Sequence, residues 1–297
     1  MNHLVALDWG TSSLRAARLA GDGRVLEERS LPRGILTVPP GGFPQVFDEV
    51  CGDWMRPPEA LALICGMAGS RQGWMEAPYC PCPAGFADIA AHLTWIEPGR
   101  IAMVPGLTCE QDGVPDVMRG EETQVLGALE LLELDAALLV LPGTHSKWVQ
   151  VAGGRIERFS TFMTGEFYAL LRQHSILGRT MPPEDGELDE TAFERGVSHA
   201  LRSSTLLHAA FSARTLALFE RLPAAARPSY LSGLVIGEEL AAQQLAGGTD
   251  VVVVGSEALT RRYEIGLRLL GATAQRAGAQ ATWRGLRAIA STLEHRQ

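Results

Sequence analysis

Nowhere does this 297-residue chain approach the about 18 consecutive apolar residues that a membrane-spanning helix needs, so such a helix is excluded. The opening MNHLVALDWG has no basic n-region and meets an aspartate at position 8, which reads as a strand and not as a secretion signal. Concentrated positive charge is missing too. The 26 Lys and Arg are scattered among 34 Asp and Glu, for a net charge of −8. Binding along nucleic acid needs a basic face, so no nucleic-acid partner is expected, whereas small anions can still be held by backbone amides. The cysteines are few and odd in number, five at positions 51, 65, 80, 82 and 109. Without a secretion signal they read as reduced thiols of a cytoplasmic protein. Cys80-Pro81-Cys82 lacks a second Cys or His pair at zinc-ligand spacing, and space-filling beneath a loop is the better reading. Walker-A spacing and short-period repeats are both absent, which excludes a P-loop kinase and a solenoid.

What is present is a soluble, globular composition, 46% hydrophobic and 20% charged. A chain of this length buries roughly three quarters of its unfolded surface, enough for two medium domains. HLVALD and LRAARLA read as strands around the turn WGTSS, and Gly21-Asp22-Gly23 turns the chain into a third strand. Phe43 to Met55 has helical spacing, Ala60 to Cys65 is a buried strand, and residues 71–86 read as an ordered loop. The pattern then restarts. Glu121 to Leu132 is a helix, Ala136 to Leu141 a strand, Pro142 to Ser146 a turn, and KWVQVA and RIERFST are strands joined at Gly153-Gly154. Residues 164–245 are mostly helical, VVVVG at 251–255 is a buried strand, and Thr282 to Glu294 is a terminal amphipathic helix. Two α/β lobes, 1–118 and 119–297, each opened by a β-meander, follow from this pattern, with the last helix expected to pack back on the first lobe.

Three turns carry candidate chemistry. Asp8 ends a buried strand, Gly10 lets backbone approach a phosphate, and Thr11, Ser12 and Ser13 add hydroxyl and amide donors that can form an anion nest. The alternative is an ordinary hairpin turn with an Asx cap. Leu141 to Trp148 repeats the Gly-Thr-x-Ser spacing at Gly143 and Thr144, and two such turns suggest hairpins that clamp a polyphosphate. Lys147 there is either a phosphate contact or a solvated edge-strand lysine. In the third, Gly255-Ser256 ends the strand at 251–255, leaving room for an adenine or ribose, or else Ser256 is only a helix N-cap.

These motifs resemble the two phosphate motifs and the adenosine motif of the actin-like ATPase and sugar-kinase superfamily. LDWGTSSLR, GMAGSRQGWMEAPYCPCPAG, MRGEETQ, LPGTHSKWV, STFMTGE and SGLVIGEEL together resemble the 2-dehydro-3-deoxygalactonokinase family, from residue 4 to about 270. The LPGTHSKW hairpin departs from the superfamily in lacking an aspartate before its Gly-Thr. The resemblance implies a two-lobed α/β fold of the actin-like, ribonuclease H-like type, with the nucleotide in a cleft between the lobes. It also implies ATP as co-substrate, magnesium held at Asp8, and transfer of the γ-phosphoryl group to the 6-hydroxyl of 2-dehydro-3-deoxy-D-galactonate. In related sugar kinases a Gly-Asp pair opens the helix before the second phosphate hairpin. Gly120-Glu121 stands at that place, which makes Glu121 the candidate base and Glu122 its alternative; the plainer reading is two glutamates complementing a helix dipole. The sugar loop implied by the family contains Ser70, Arg71, Gln72 and Trp74. Arg71 offers a bidentate fork to a carboxylate, unless it is simply a surface arginine. Thr164 and Glu166 would add hydroxyl contacts, and His145 and His174 read as structural. Competing readings are the same fold acting on another sugar acid, a nucleotide-switched sensor without catalysis, or a filament former. A homodimer is compatible with the sequence, which carries no signal for or against it.

Overall fold

A computed structural model of the chain describes residues 3–294. β1 (Leu4–Trp9), β2 (Leu14–Leu19) and β3 (Val25–Leu31) form an antiparallel meander. In α1 (Phe43–Cys51) the buried residues Phe43, Val46, Phe47, Val50 and Cys51 fall on one helical stripe. β4 (Leu61–Cys65) lies parallel to β1 with Cys65 opposite Asp8, and all five of its residues are buried. A strand covered on both faces needs apolar residues at every position, so LALIC shows no alternation. Next come β5 (Cys80–Pro81), α2 (Phe86–Ala91), β6 (Thr94–Glu97), β7 (Ile101–Met103), β8 (Leu107–Gln111) and β9 (Val114–Met118). The stretch 71–86 therefore contains a strand, β5, too short to show a period. The first sheet runs β3-β2-β1-β4-β7-β6, and β5-β8-β9 form a small second one.

α3 (Glu121–Leu132) matches the helix read from the sequence. β10 (Ala137–Leu141), β11 (Ser146–Ala152) and β12 (Arg155–Phe162) follow, then α4 (Thr164–His174), α5 (Glu190–Arg202), α6 (Leu206–Ala209), α7 (Ser212–Leu218) and α8 (Arg227–Ala242). β13 (Asp250–Val254), α9 (Glu257–Leu269), β14 (Thr273–Ala277) and α10 (Gln280–Glu294) complete the chain. The third sheet has the order β12-β11-β10-β13-β14. Among the described residues no helix is long and apolar enough to cross a membrane.

Contacts divide the chain into two compact units. One holds the residues up to Leu139, Val149–Ser160 and those from Ala277 on; the other holds Val140–Trp148 and Thr161–Arg276. The units are thus not the contiguous segments 1–118 and 119–297. The reason is packing remote in sequence: α10 lies on α3 and reaches α2, β1 and β2, so both helices join the first unit. The core of that unit is aromatic around Trp9, whose ring meets Phe43 at 5.3 Å and Trp74 at 6.3 Å. The second unit is built around α8, which is buried along most of its length and packs on α5.

Candidate functional site

In the first unit the ends of β1 and β4 and the head of α3 converge. Asp8 is partly buried, and its Oδ2 accepts a bond from Arg15 at 2.6 Å. After it, Gly10 N donates to Ser13 O at 2.9 Å, and Thr11, Ser12 and Ser13 stand exposed. Gly66 and Gly120 make the convergence possible. Both have positive φ, +89° and +104°. A Cβ at Gly66 would stand 2.9 Å from Trp9 O and 3.4 Å from Asp8 Oδ1, and one at Gly120 would stand 3.2 Å from Gly66 Cα. Side chains at either position would push the strand ends and the helix apart.

The two glutamates at the head of α3 differ sharply. Glu121 is half-buried, and its Oε2 accepts from Arg119 N at 3.0 Å. Glu122 is fully buried; Oε2 accepts from Gly120 N at 2.7 Å and Oε1 from Thr123 Oγ1 at 3.0 Å. Burial, followed by the charge on Glu121, pushes the Glu122 carboxyl up to about 8.

The loop expected at the sugar splits. Arg71 is exposed, with its Nε on Glu76 Oε1 at 2.9 Å, and Gln72 is exposed beside it. Trp74 turns inward onto Trp9 and Phe47, so its ring belongs to the core. Ser70 Oγ is enclosed without a hydrogen-bond partner. Arg119, within the string MRGEETQ, was not singled out in the sequence. Its guanidinium lies 4.4 Å over the Tyr79 ring and donates to Ala77 O at 2.8 Å, while Nε and Nη1 are enclosed without partners.

The second unit brings its own candidates together. The head of α4 lies directly on the turn Pro142–His145: Glu166 N donates to Thr144 O at 3.0 Å, and His145 Nε2 meets Glu166 Oε2 at 2.6 Å. Gly165 permits this approach, since a Cβ there would stand 2.5 Å from Gly143 O and 2.8 Å from Thr144 Cα. Gly255 adjoins the same turn, its Cβ position 3.7 Å from Pro142 O. A cavity of about 210 Å³ opens here, lined by Gly143, Thr164, Gly165, Ser232, Leu259 and Arg262 among others. Ser256 occupies the N-cap position of α9 but makes no side-chain cap bond, which leaves its hydroxyl free of that duty. Lys147 is only 5% exposed and sits on β11, an interior strand between β12 and β10, so it is not a solvated edge lysine. Strand alternation turns it to the face opposite Ser146 and Trp148.

Among the described residues no group of three or more His, Cys, Asp or Glu could cage a metal ion. A single carboxylate such as Asp8 fits a magnesium ion whose remaining ligands are phosphate oxygens and water, the usual arrangement at nucleotide sites.

A family model for 2-keto-3-deoxy-galactonokinase matches residues 8–289. The chain is 37% identical to the Escherichia coli 2-dehydro-3-deoxygalactonokinase over 289 residues, 96% of this chain and 97% of that protein. It is 39% identical over 298 residues to a Rhizobium meliloti protein named as a probable 2-dehydro-3-deoxygalactonokinase, covering 98% and 97%. A crystal structure of a Sinorhizobium meliloti protein provisionally described as a 2-dehydro-3-deoxygalactonokinase superposes with a TM-score of 0.90 at 38% identity, covering 98% of this chain and 99% of the other. The mixed α/β architecture is that of the actin-like ATPases and sugar kinases.

Proposed function

The chain belongs to the 2-keto-3-deoxy-galactonokinase family, and we propose that it transfers the γ-phosphoryl group of ATP to the primary 6-hydroxyl of 2-dehydro-3-deoxy-D-galactonate in the cytoplasm, a step of galactonate catabolism. The observation that carries this reading is the family match over residues 8–289, which begins on the candidate metal carboxylate Asp8.

Transfer of this kind needs alignment and charge neutralisation more than covalent chemistry. Magnesium bound with the nucleotide would supply part of that neutralisation, with Asp8 holding it through water. The proposed phosphate contacts are Gly10, Thr11, Ser12 and Ser13 of the first Gly-Thr turn and Gly143 and Thr144 of the second, with Lys147 nearby in sequence. Gly255 and Ser256 receive the nucleoside, supported by their adjacency to Pro142. Glu121 is the base. Its half-buried carboxylate remains reachable, whereas that of Glu122 is enclosed and bonded. As the acceptor oxygen forms its bond to the γ-phosphorus, the hydroxyl proton passes to Glu121, and the bond to the bridging oxygen breaks with its electron pair leaving on ADP.

Ser70, Arg71 and Gln72, with Glu166, are the proposed sugar-acid contacts; Trp74 and Thr164, expected beside them, are not assigned to the sugar acid, because the Trp74 ring packs in the core and the Thr164 hydroxyl is bonded to Glu239. Arg71 can serve because an exposed ion pair such as Arg71–Glu76 is screened by solvent and exchanges readily for a ligand carboxylate. A coupled ADP-release assay over a panel of 2-keto-3-deoxy sugar acids tests the function. The galacto acid should give the highest kcat/KM; a clear preference for another sugar acid would reassign the substrate.

A further inference from the structure

SGLVIGEEL carries a buried carboxylate that the reaction as described does not use. Glu239, on α8, is 2% exposed. Its Oε1 accepts from Ser146 Oγ at 2.8 Å and Trp148 Nε1 at 2.6 Å; its Oε2 accepts from Tyr263 OH at 2.7 Å and from Thr164 Oγ1. Tyr263 OH also reaches Ser146 Oγ at 3.3 Å. Four side-chain donors on three other elements thus end on one carboxyl group. The ionised form, an acceptor only, is the one that takes all four bonds.

The donors are not spread at random through the core. Ser146 directly follows the turn Pro142–His145. Thr164 directly precedes Gly165, whose backbone lies against Gly143 O, and Glu166, whose N–H holds Thr144 O. Tyr263 lies on α9, the helix that begins just after Gly255-Ser256. Both walls of the second Gly-Thr turn and the helix behind the nucleoside motif are therefore fastened to the same side chain.

We propose that Glu239 is a positioning residue for the nucleotide: by fixing Ser146, Thr164 and Tyr263 it sets the shape of the Gly143-Thr144 turn that receives the phosphates. The proposal rests on the reading of that turn as a phosphate site. Loss of the carboxylate leaves buried donors unmet and lets the turn relax, so the nucleotide, not the sugar acid, is what the enzyme should hold less well.

The test compares wild type, Glu239→Gln, Trp148→Phe and Tyr263→Phe, by calorimetric ADP affinity and by the KM for each substrate. Glutamine keeps one acceptor oxygen but turns an amide toward two donors. It should weaken ADP binding and raise the ATP KM on the order of tenfold, with the sugar-acid KM within about twofold of wild type. Trp148→Phe and Tyr263→Phe each remove a single donor and should show smaller shifts of the same kind, which keeps the test informative if Glu239→Gln fails to fold. Unchanged ADP affinity in the folded variants, with only a lower melting temperature, would overturn the proposal and leave Glu239 a purely structural residue. Failure of wild type to bind any adenine nucleotide would overturn the phosphate-site reading and this inference with it. Wild type that binds ADP but phosphorylates no sugar acid would overturn the substrate assignment alone, and the ADP affinities would still decide on Glu239.

Discussion

Arg15 donates to Asp8 Oδ2 over 2.6 Å, between residues directly opposite each other on β1 and β2. Arg15 is itself held, 5.3 Å from the Trp283 ring and 3.4 Å from Thr282 Oγ1, so the last helix buttresses the first motif. One oxygen of the candidate metal carboxylate is thus occupied by a guanidinium, and the other is turned toward the space left by Gly66.

Asp8→Asn keeps an oxygen for Arg15 but loses the charge that a magnesium ion would feel. The variant should melt close to wild type and lose at least about a hundredfold in kcat, about 2.7 kcal/mol or more of barrier. Wild-type turnover in the folded variant would remove Asp8 from the chemistry.

Arg71→Ala should raise the KM for the sugar acid while leaving the ATP KM nearly unchanged. A substrate analogue lacking the carboxylate should be indifferent to the change. If that analogue suffers equally, the anchor lies elsewhere, and Arg119, with two enclosed and unpaired guanidinium nitrogens, is the next residue to substitute.

The Glu122 carboxyl, raised to about 8 in the fold, titrates near 4.3 in an unfolded chain. Between those values the native state keeps a proton that the unfolded state has released. Stability from this group therefore falls as pH rises through the window, by roughly 1 kcal/mol per pH unit. Glu122→Gln stays neutral, retains an acceptor for Gly120 N, and should flatten that slope in denaturant melts taken from about pH 5 to about pH 8.5. Parallel pH profiles for wild type and variant would mean that Glu122 is already ionised in the fold.

The parts legible in the sequence were those with a local cause. Glycine turns at 10 and 143 and the apolar strands that end on Asp8 and Gly255 are written in consecutive residues, and α3 begins at Glu121 as its pattern requires. What escaped is set by partners distant in the chain. Ser146 and Glu239 lie 93 residues apart, and no local period announces that they meet. The burial of Lys147 follows from β11 lying between two neighbours in its sheet, a matter of strand order. The unit boundary departs from 118/119 because α3 also belongs to the first unit, through its packing on the remote α10.

Glu121→Gln removes the proposed base without touching the nucleotide turns. It should bind ATP and sugar acid about as well as wild type yet turn over on the order of a hundredfold slower. Glu122→Gln should be milder, since that carboxylate is enclosed and bonded to Gly120 N and Thr123. If Glu122→Gln is the more damaged in kcat, the roles of the two glutamates are exchanged.

The most direct measurement is phosphorus NMR of a reaction containing the purified chain, magnesium-ATP and 2-dehydro-3-deoxy-D-galactonate. The predicted result is a phosphomonoester resonance coupled to the C6 protons, growing in step with ADP. ADP accompanied only by inorganic phosphate, a phosphate ester on another carbon, or no ADP at all would contradict phosphoryl transfer to the 6-hydroxyl.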